Sequence, residues 1–251
     1  HTRFKCDWSS DVCSSDLAAT GAYSFSQGSK DAALATQLAA GAYTCPVSGA
    51  NNTAGVVLVE VYDAAVADAN GPTIINASTR AFVGTGASVL IPGFTISGSG
   101  SLPILIRAVG PGLASFGVSG TLADPVITLY RDSTALATND NWSTASNAVE
   151  VATAAANVGA FTLTSGSRDA AILTSLPAGS YTAVVSGVGN TTGTALVEVY
   201  VAGASKAESA VSAPTPFVPR FARIPGGSFV MGDHFGYVDP GHPSDEVPLH
   251  P

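Results

Sequence analysis

Residues 159–200, GAFTLTSGSRDAAILTSLPAGSYTAVVSGVGNTTGTALVEVY, decide how this chain is read, because the chain writes them twice. Residues 21–62, GAYSFSQGSKDAALATQLAAGAYTCPVSGANNTAGVVLVEVY, align with them without a gap at a constant offset of 138. A self-match this long is the mark of tandem structural modules. Within it, short apolar runs alternate with Gly, Pro, Asn and Ser, which predicts strands joined by turns.

Working outward, the complete unit opens near Ile74. Residues 80–84, 88–96, 103–109 and 125–130 read as strands, with a further strand-like run at 135–138. Residues 161–164, 170–173, 181–186 and 195–200 complete the set. Short strands spaced by about 8–12 residues, with turn signals between them, predict a β-sandwich. The expected fold class is therefore all-β: tandem β-sandwich modules of jelly-roll or immunoglobulin-like kind, the first truncated, followed by an incomplete C-terminal domain start. Pro177-Ala178-Gly179 and Ala39-Ala40-Gly41 read as hairpin turns, since Gly supplies positive φ without steric cost. Residues 187–193 and 49–55 read as a second Gly/Asn/Thr turn. Tyr43 and Tyr181 open the strands that follow, each an aromatic with a polar tip. Residues 145–156 are Ala-rich without a strong apolar stripe, and read as a loop or a short helix.

Composition fits this picture. Of 251 residues, 46% are hydrophobic and only 11% charged, with 27 Gly and 15 Pro, as expected of a β-rich chain with many turns. The net charge of −8 excludes an electrostatic nucleic-acid binder, which needs a basic face. No apolar run reaches the ~18 residues of a membrane helix. An acidic surface rich in Ser, Thr and Gly and poor in Lys predicts a secreted or cell-surface protein.

The chain divides into five expected segments. Residues 1–17 form a non-native leader: 7–17, DWSSDVCSSDL, look like a translated sequencing-library adapter, and His1-Thr2-Arg3 fit its upstream end. This removes Cys6 and Cys13 from the cysteine count and leaves Cys45 alone. Its counterpart in the second copy is Ala183, so Cys45 reads as a small apolar residue. Residues 18–66 are expected to be the C-terminal half of a truncated sandwich repeat, and 73–203 a complete one. Residues 204–219, with Pro214, Pro216 and Pro219, read as a linker. Residues 220–251 follow as the truncated start of another domain.

Candidate chemistry in the sandwich is sparse. Asn139-Asp140-Asn141 clusters oxygens of the kind Ca²⁺ prefers, but Asn and Asp also bond their own backbone in turns, and the turn is the favoured reading. Lys30-Asp31 and Arg168-Asp169 recur in register just ahead of an apolar strand. No His or second acid recurs with them, so they predict a turn cap or local ion pair. Asn51, Asn76, Asn141 and Asn190 each begin an N-x-Ser/Thr sequon, a signal that carries little meaning if the source does not glycosylate it. No catalytic, cofactor-binding or metal-binding residue is assigned.

The complete unit resembles repeats of large secreted bacterial proteins and, more loosely, the bacterial pre-peptidase C-terminal domain. The resemblance rests on DPVITLY (124–130), TNDNW (138–142), LPAGSYTAVVSG (176–187) and LVEVY (196–200). It implies non-catalytic β-sandwiches that accompany secreted enzymes, with no shared active site. In the tail, IPGGSFVMG (224–232), an acidic loop and EVPLHP (246–251) resemble the opening of a formylglycine-generating enzyme domain, also called sulfatase-modifying factor. That resemblance implies a C-type-lectin-like fold that oxidises a sulfatase cysteine, using copper held by cysteines downstream of residue 251. No catalytic residue transfers onto this chain. His234, His242, His250, Asp239 and Asp245 match no ligand spacing and read as a solvated loop. The expected function is that of a non-catalytic front portion of a secreted multidomain protein. The alternative is an extracellular binding, adhesion or spacer module touching a glycan or protein surface.

Two charges stand in otherwise apolar strands: Arg107 in PILIRAV and Glu198 in LVEVY. A lone ionised group there costs several kcal/mol unless it is paired or reaches solvent. Either the two strands adjoin and the charges pair, or both side chains point outward. Glu60, the equivalent of Glu198, has no matching Arg segment ahead of it and is expected to be exposed or to find another partner.

Overall fold

The computed structural model describes residues 25–26, 28–63 and 73–203. These fall into two units, one holding 25–43, 55–63 and 73–74, the other 44–54 and 75–203. The expectations for residues 1–17 and 204–251 lie outside the described residues.

In the second unit, residues 75–203 build six strands and one helix. The strands are β1 (Asn76–Val83), β2 (Gly93–Val109), β3 (Pro125–Arg131), β4 (Thr134–Asn139), β5 (Ala170–Gly187) and β6 (Gly193–Val201). They pair antiparallel in the order β1-β6-β2-β5-β3-β4. The fold is all-β, as expected, with α1 (Ala148–Asn157) as its one α-helix among the described residues.

β2 and β5 are long because each serves both ends of the sheet. The end of β2 pairs with β6 on one side and with the start of β5 on the other, and the end of β5 pairs with β3. This corrects two expectations. Residues 88–96 and 103–109 are not separate strands, and Pro177-Ala178-Gly179 is not a hairpin turn. Instead the β2–β5 register shifts between Ile96 and Ser101. There β2 carries Gly98 and Gly100 at φ 95° and 88°, and β5 carries Gly179 at φ 151°, so both strands turn together. Pro177, which has no N–H to donate, sits at this irregularity, where a ladder bond is least missed. Residues 161–164 also form no strand.

The turn folds the sheet over one core. Ile104, Ile106 and Ala108 of β2, Ile172 and Val185 of β5, Ile127 and Leu129 of β3 and Val197 of β6 all enter the same buried cluster. β3 and β6, which are not neighbours in the sheet, thus share one core, as the layers of a sandwich do. The alternate residues Leu105 and Val109 of β2 and Leu196 and Tyr200 of β6 enter a second cluster on the opposite face. α1 covers that face with Val151, Ala154 and Ala155, at the i, i+3, i+4 spacing of a helix stripe. This is why PILIRAV and LVEVY are apolar on both faces: each face packs against a buried cluster.

The first unit contains no strand among its described residues. Val56, Leu58 and Val61, which align with residues of β6, are exposed. Cys45, assigned to the second unit, is exposed too.

Candidate functional site

The site with the most chemistry is the face of the sheet beneath α1, where polar groups are buried among apolar ones. Arg107 and Glu198 stand directly opposite each other in the β2–β6 ladder. Arg107 is fully buried and Glu198 is 5% exposed. Arg107 Nε donates to Glu198 Oε2 at 2.8 Å, and Nη2 lies 2.7 Å from the same oxygen. Nη2 is close enough for charge attraction, yet its N–H bonds are not aligned for a hydrogen bond. The pair foreseen from the two isolated charges is present.

Three further groups complete the arrangement. Arg107 Nη1 donates to the Phe161 carbonyl at 2.6 Å, and the guanidinium lies 4.4 Å from the centre of the Phe161 ring. Tyr200 Oη donates to Glu198 Oε1 at 2.7 Å, so both carboxylate oxygens are engaged. Burial first, then the Glu198 charge and its hydrogen bond, push the Tyr200 hydroxyl well above the usual phenol range. Tyr200 therefore remains a donor at any physiological pH. Phe116 meets Phe161 edge to face at 5.0 Å, which fixes the ring over the cation.

Asp169 forms a second buried node. It is fully buried, and its Oδ1 accepts from the backbone N–H of Gly110 at 2.9 Å and of Gly112 at 3.1 Å. Ser167 Oγ donates to Oδ2 at 2.7 Å, and the Asp169 carbonyl accepts from Trp142 N at 2.9 Å. Asp169 is thus the clamp on the tight turn after β2, where a Cβ on Gly110 would run into the Leu122 carbonyl oxygen. The turn-cap reading of Asp169 is correct. Its neighbour Arg168 serves elsewhere, bonding Asp124 at 2.8 Å from an exposed position.

Asn139-Asp140-Asn141 holds a corner. Asn139 Oδ1 accepts from Ala171 N at 2.9 Å, and the Asn141 carbonyl accepts from Thr144 Oγ at 3.0 Å. Among the described residues, no three His, Cys, Asp or Glu side chains are grouped so as to hold a metal ion. Nor is any described helix long and apolar enough to cross a membrane. His234, His242, His250, Asp239 and Asp245 lie outside the described residues.

The sequence pointed to Arg107, Glu198 and Asp169, but not to Phe161, Tyr200 or Trp142 as their partners. A signal was present for Tyr200. It stands two residues from Glu198, on the same face of a strand, and Tyr62 repeats the spacing to Glu60. Phe161 comes from irregular backbone, which no periodicity announces.

No protein-family model matches the chain, and no curated protein matches it in sequence. Among solved structures, it is similar to the pre-peptidase C-terminal domain of a collagenase from Bacillus anthracis, known at 1.0 Å. The two share 12% identity over 50% of this chain and 89% of the other, with a TM-score of 0.31. A likeness at that score carries no argument, and the fold stands on the strand pairing described above.

Proposed function

We propose that residues 73–203 are a non-catalytic β-sandwich module of a secreted multidomain protein, a scaffold for the segment that follows it. One observation carries this reading. Three of the four buried charged residues among those described, Arg107, Asp169 and Glu198, are bonded to strands and turns of the sandwich itself. A catalytic acid, base or electrostatic stabiliser must face a cleft that a substrate can enter. These groups bond one another and neighbouring backbone, so they fix strand positions and the turn after β2. The resemblance of 224–251 to the opening of a sulfatase-modifying-factor domain supports placing any chemistry downstream. Copper implied by that resemblance needs paired cysteines. Cys45 is exposed and free, and residues 204–251 contain no cysteine, so these residues do not fit that metal.

The test compares the 251-residue chain with one extended along its reading frame beyond Pro251. Both are incubated with copper and a sulfatase-derived cysteine peptide, and formylglycine is measured by mass spectrometry. The expected result is product from the extended chain alone. Turnover by the 251-residue chain that disappears in a folded Asp169→Asn or Glu198→Gln variant would overturn the reading.

A further inference from the structure

We propose that residues 21–62 are a strand-donating surface whose partner is a second polypeptide segment of the same type as residues 76–131 of this chain. The second copy shows what covers this sequence when it is satisfied. There GTALVEVY (193–200) lies between β1 and β2, with Ala195 and Val197 in the core and Leu196, Glu198 and Tyr200 on the opposite, covered face. In the first copy GVVLVEVY (55–62) forms no strand. Its Val57, Leu58 and Val59 are 57%, 69% and 47% exposed, where Ala195, Leu196 and Val197 are buried.

The polar code is retained as well. Glu60 occupies the place of Glu198 and Asp31 the place of Asp169, and both are exposed. In the second copy that carboxylate meets an arginine on the strand opposite. Tyr62 already donates to Glu60 Oε1 at 3.1 Å, as Tyr200 does to Glu198 at 2.7 Å, so half of the polar cluster is assembled. The partner is therefore defined by its chemistry. It must offer an apolar strand with an arginine opposite Glu60, followed at once by a Gly-x-Gly turn whose N–H groups meet Asp31. PILIRAVGPG, residues 103–112, has this pattern, but within this chain it is already engaged by β6 and Asp169. Two positions mark the cost of the match. Cys45 replaces the fully buried Ala183, and Pro46 replaces Val184, which pairs with Thr128 of β3.

The test places a second copy of residues 73–158 directly ahead of Gly21, in the spacing that precedes Gly159, and keeps residues 21–251 intact. Amide hydrogen exchange is then read at residues 55–62. The expected result is a slowing on the order of a hundredfold or more relative to the unextended chain, in a monomer. The slowing should be largely lost when the added arginine is changed to Ala. A second extended chain carrying Cys45→Ala and Pro46→Val removes the mismatches, so that poor folding of the first cannot hide the answer. Unprotected amides at 55–62 in both chains would overturn the proposal. So would protection found only in a dimer, or protection indifferent to the arginine.

Discussion

Tyr181 donates to the Pro177 carbonyl at 2.7 Å, and Tyr43 donates to the Ala39 carbonyl at 2.8 Å, across the same four residues. Thr191 and Thr53 each donate to a carbonyl three residues back at 2.9 Å, and Asn190 and Asn52 take φ of 61° and 58°. Yet Tyr181 is 3% exposed and Tyr43 is 53% exposed. The two copies of the repeat share their local bonds and differ in their long-range ones. Turn geometry is written within a few residues and forms wherever those residues occur. A ladder needs a neighbour distant in sequence, and only the second copy has β1, β2 and β3 beside it. Apolar burial follows the ladder, not the turn.

The sharpest way to break the comparison is at the charged pair. Glu198→Ala leaves the Arg107 guanidinium fully buried without its carboxylate, and should cost about 3–5 kcal/mol of unfolding free energy in urea. Glu60→Ala, at an exposed site, should change stability by no more than about 0.5 kcal/mol. The double replacement Arg107→Leu with Glu198→Leu should recover much of the loss, because a buried ion pair contributes register more than stability. Equal effects of Glu198→Ala and Glu60→Ala would erase the distinction between the copies.

Asp169→Ala comes next. It strips a buried acceptor from Gly110, Gly112 and Ser167 at once, and should cost about 3 kcal/mol. Asp31→Ala should be near neutral, since Asp31 is exposed. Calorimetric midpoints of the two variants check this directly.

How far these features were legible depends on the range over which each is encoded. The strand-bearing stretches, the turn at 187–193 and the all-β class follow from composition and punctuation, which act locally. The Arg107–Glu198 pair was legible because burying an isolated charge is expensive, so two lone charges in apolar strands point to each other. The continuity of β2 and β5 was not legible. SGSG (97–100) and PAG (177–179) are turn sequences by every local rule, and only their mutual pairing converts them into a shared bend. Phe161 was missed for a similar reason. Its carbonyl and ring are placed by irregular backbone leading out of α1, and the strand pattern expected at 161–164 gave no hint of it. The stripe of α1 is weak because it is made of Val151 and two alanines.

Tyr200→Phe should have a smaller effect that depends on pH. It removes one donor from a buried carboxylate, costing about 1.5–3 kcal/mol at neutral pH. The folded state raises the Tyr200 pKa above its ordinary value of 10, so folding retains a proton that the unfolded chain releases in alkali. The stability this proton confers is complete below that value and falls as pH rises past it. Parent and variant should therefore converge as pH is raised above about 10, because the variant has no such proton to lose. Parallel stability curves across that range would show that burial and Glu198 do not hold Tyr200 protonated.

The smallest effect returns to the bond that both copies share. Tyr181→Phe removes the hydroxyl from a buried ring and leaves the Pro177 carbonyl without its donor at the bend of β5, which should cost about 1 kcal/mol. The ring itself stays stacked on Phe94 at 5.5 Å, so the apolar contribution is kept and the loss is confined to the hydrogen bond. Tyr43→Phe removes a bond of nearly the same length from an exposed ring, where water takes over the Ala39 carbonyl, and should fall within about 0.5 kcal/mol of zero. Urea midpoints measured side by side separate the two cases. If the exposed bond proved as costly to lose as the buried one, the turn would be a source of stability in its own right. Long-range pairing would then not be what divides one copy from the other.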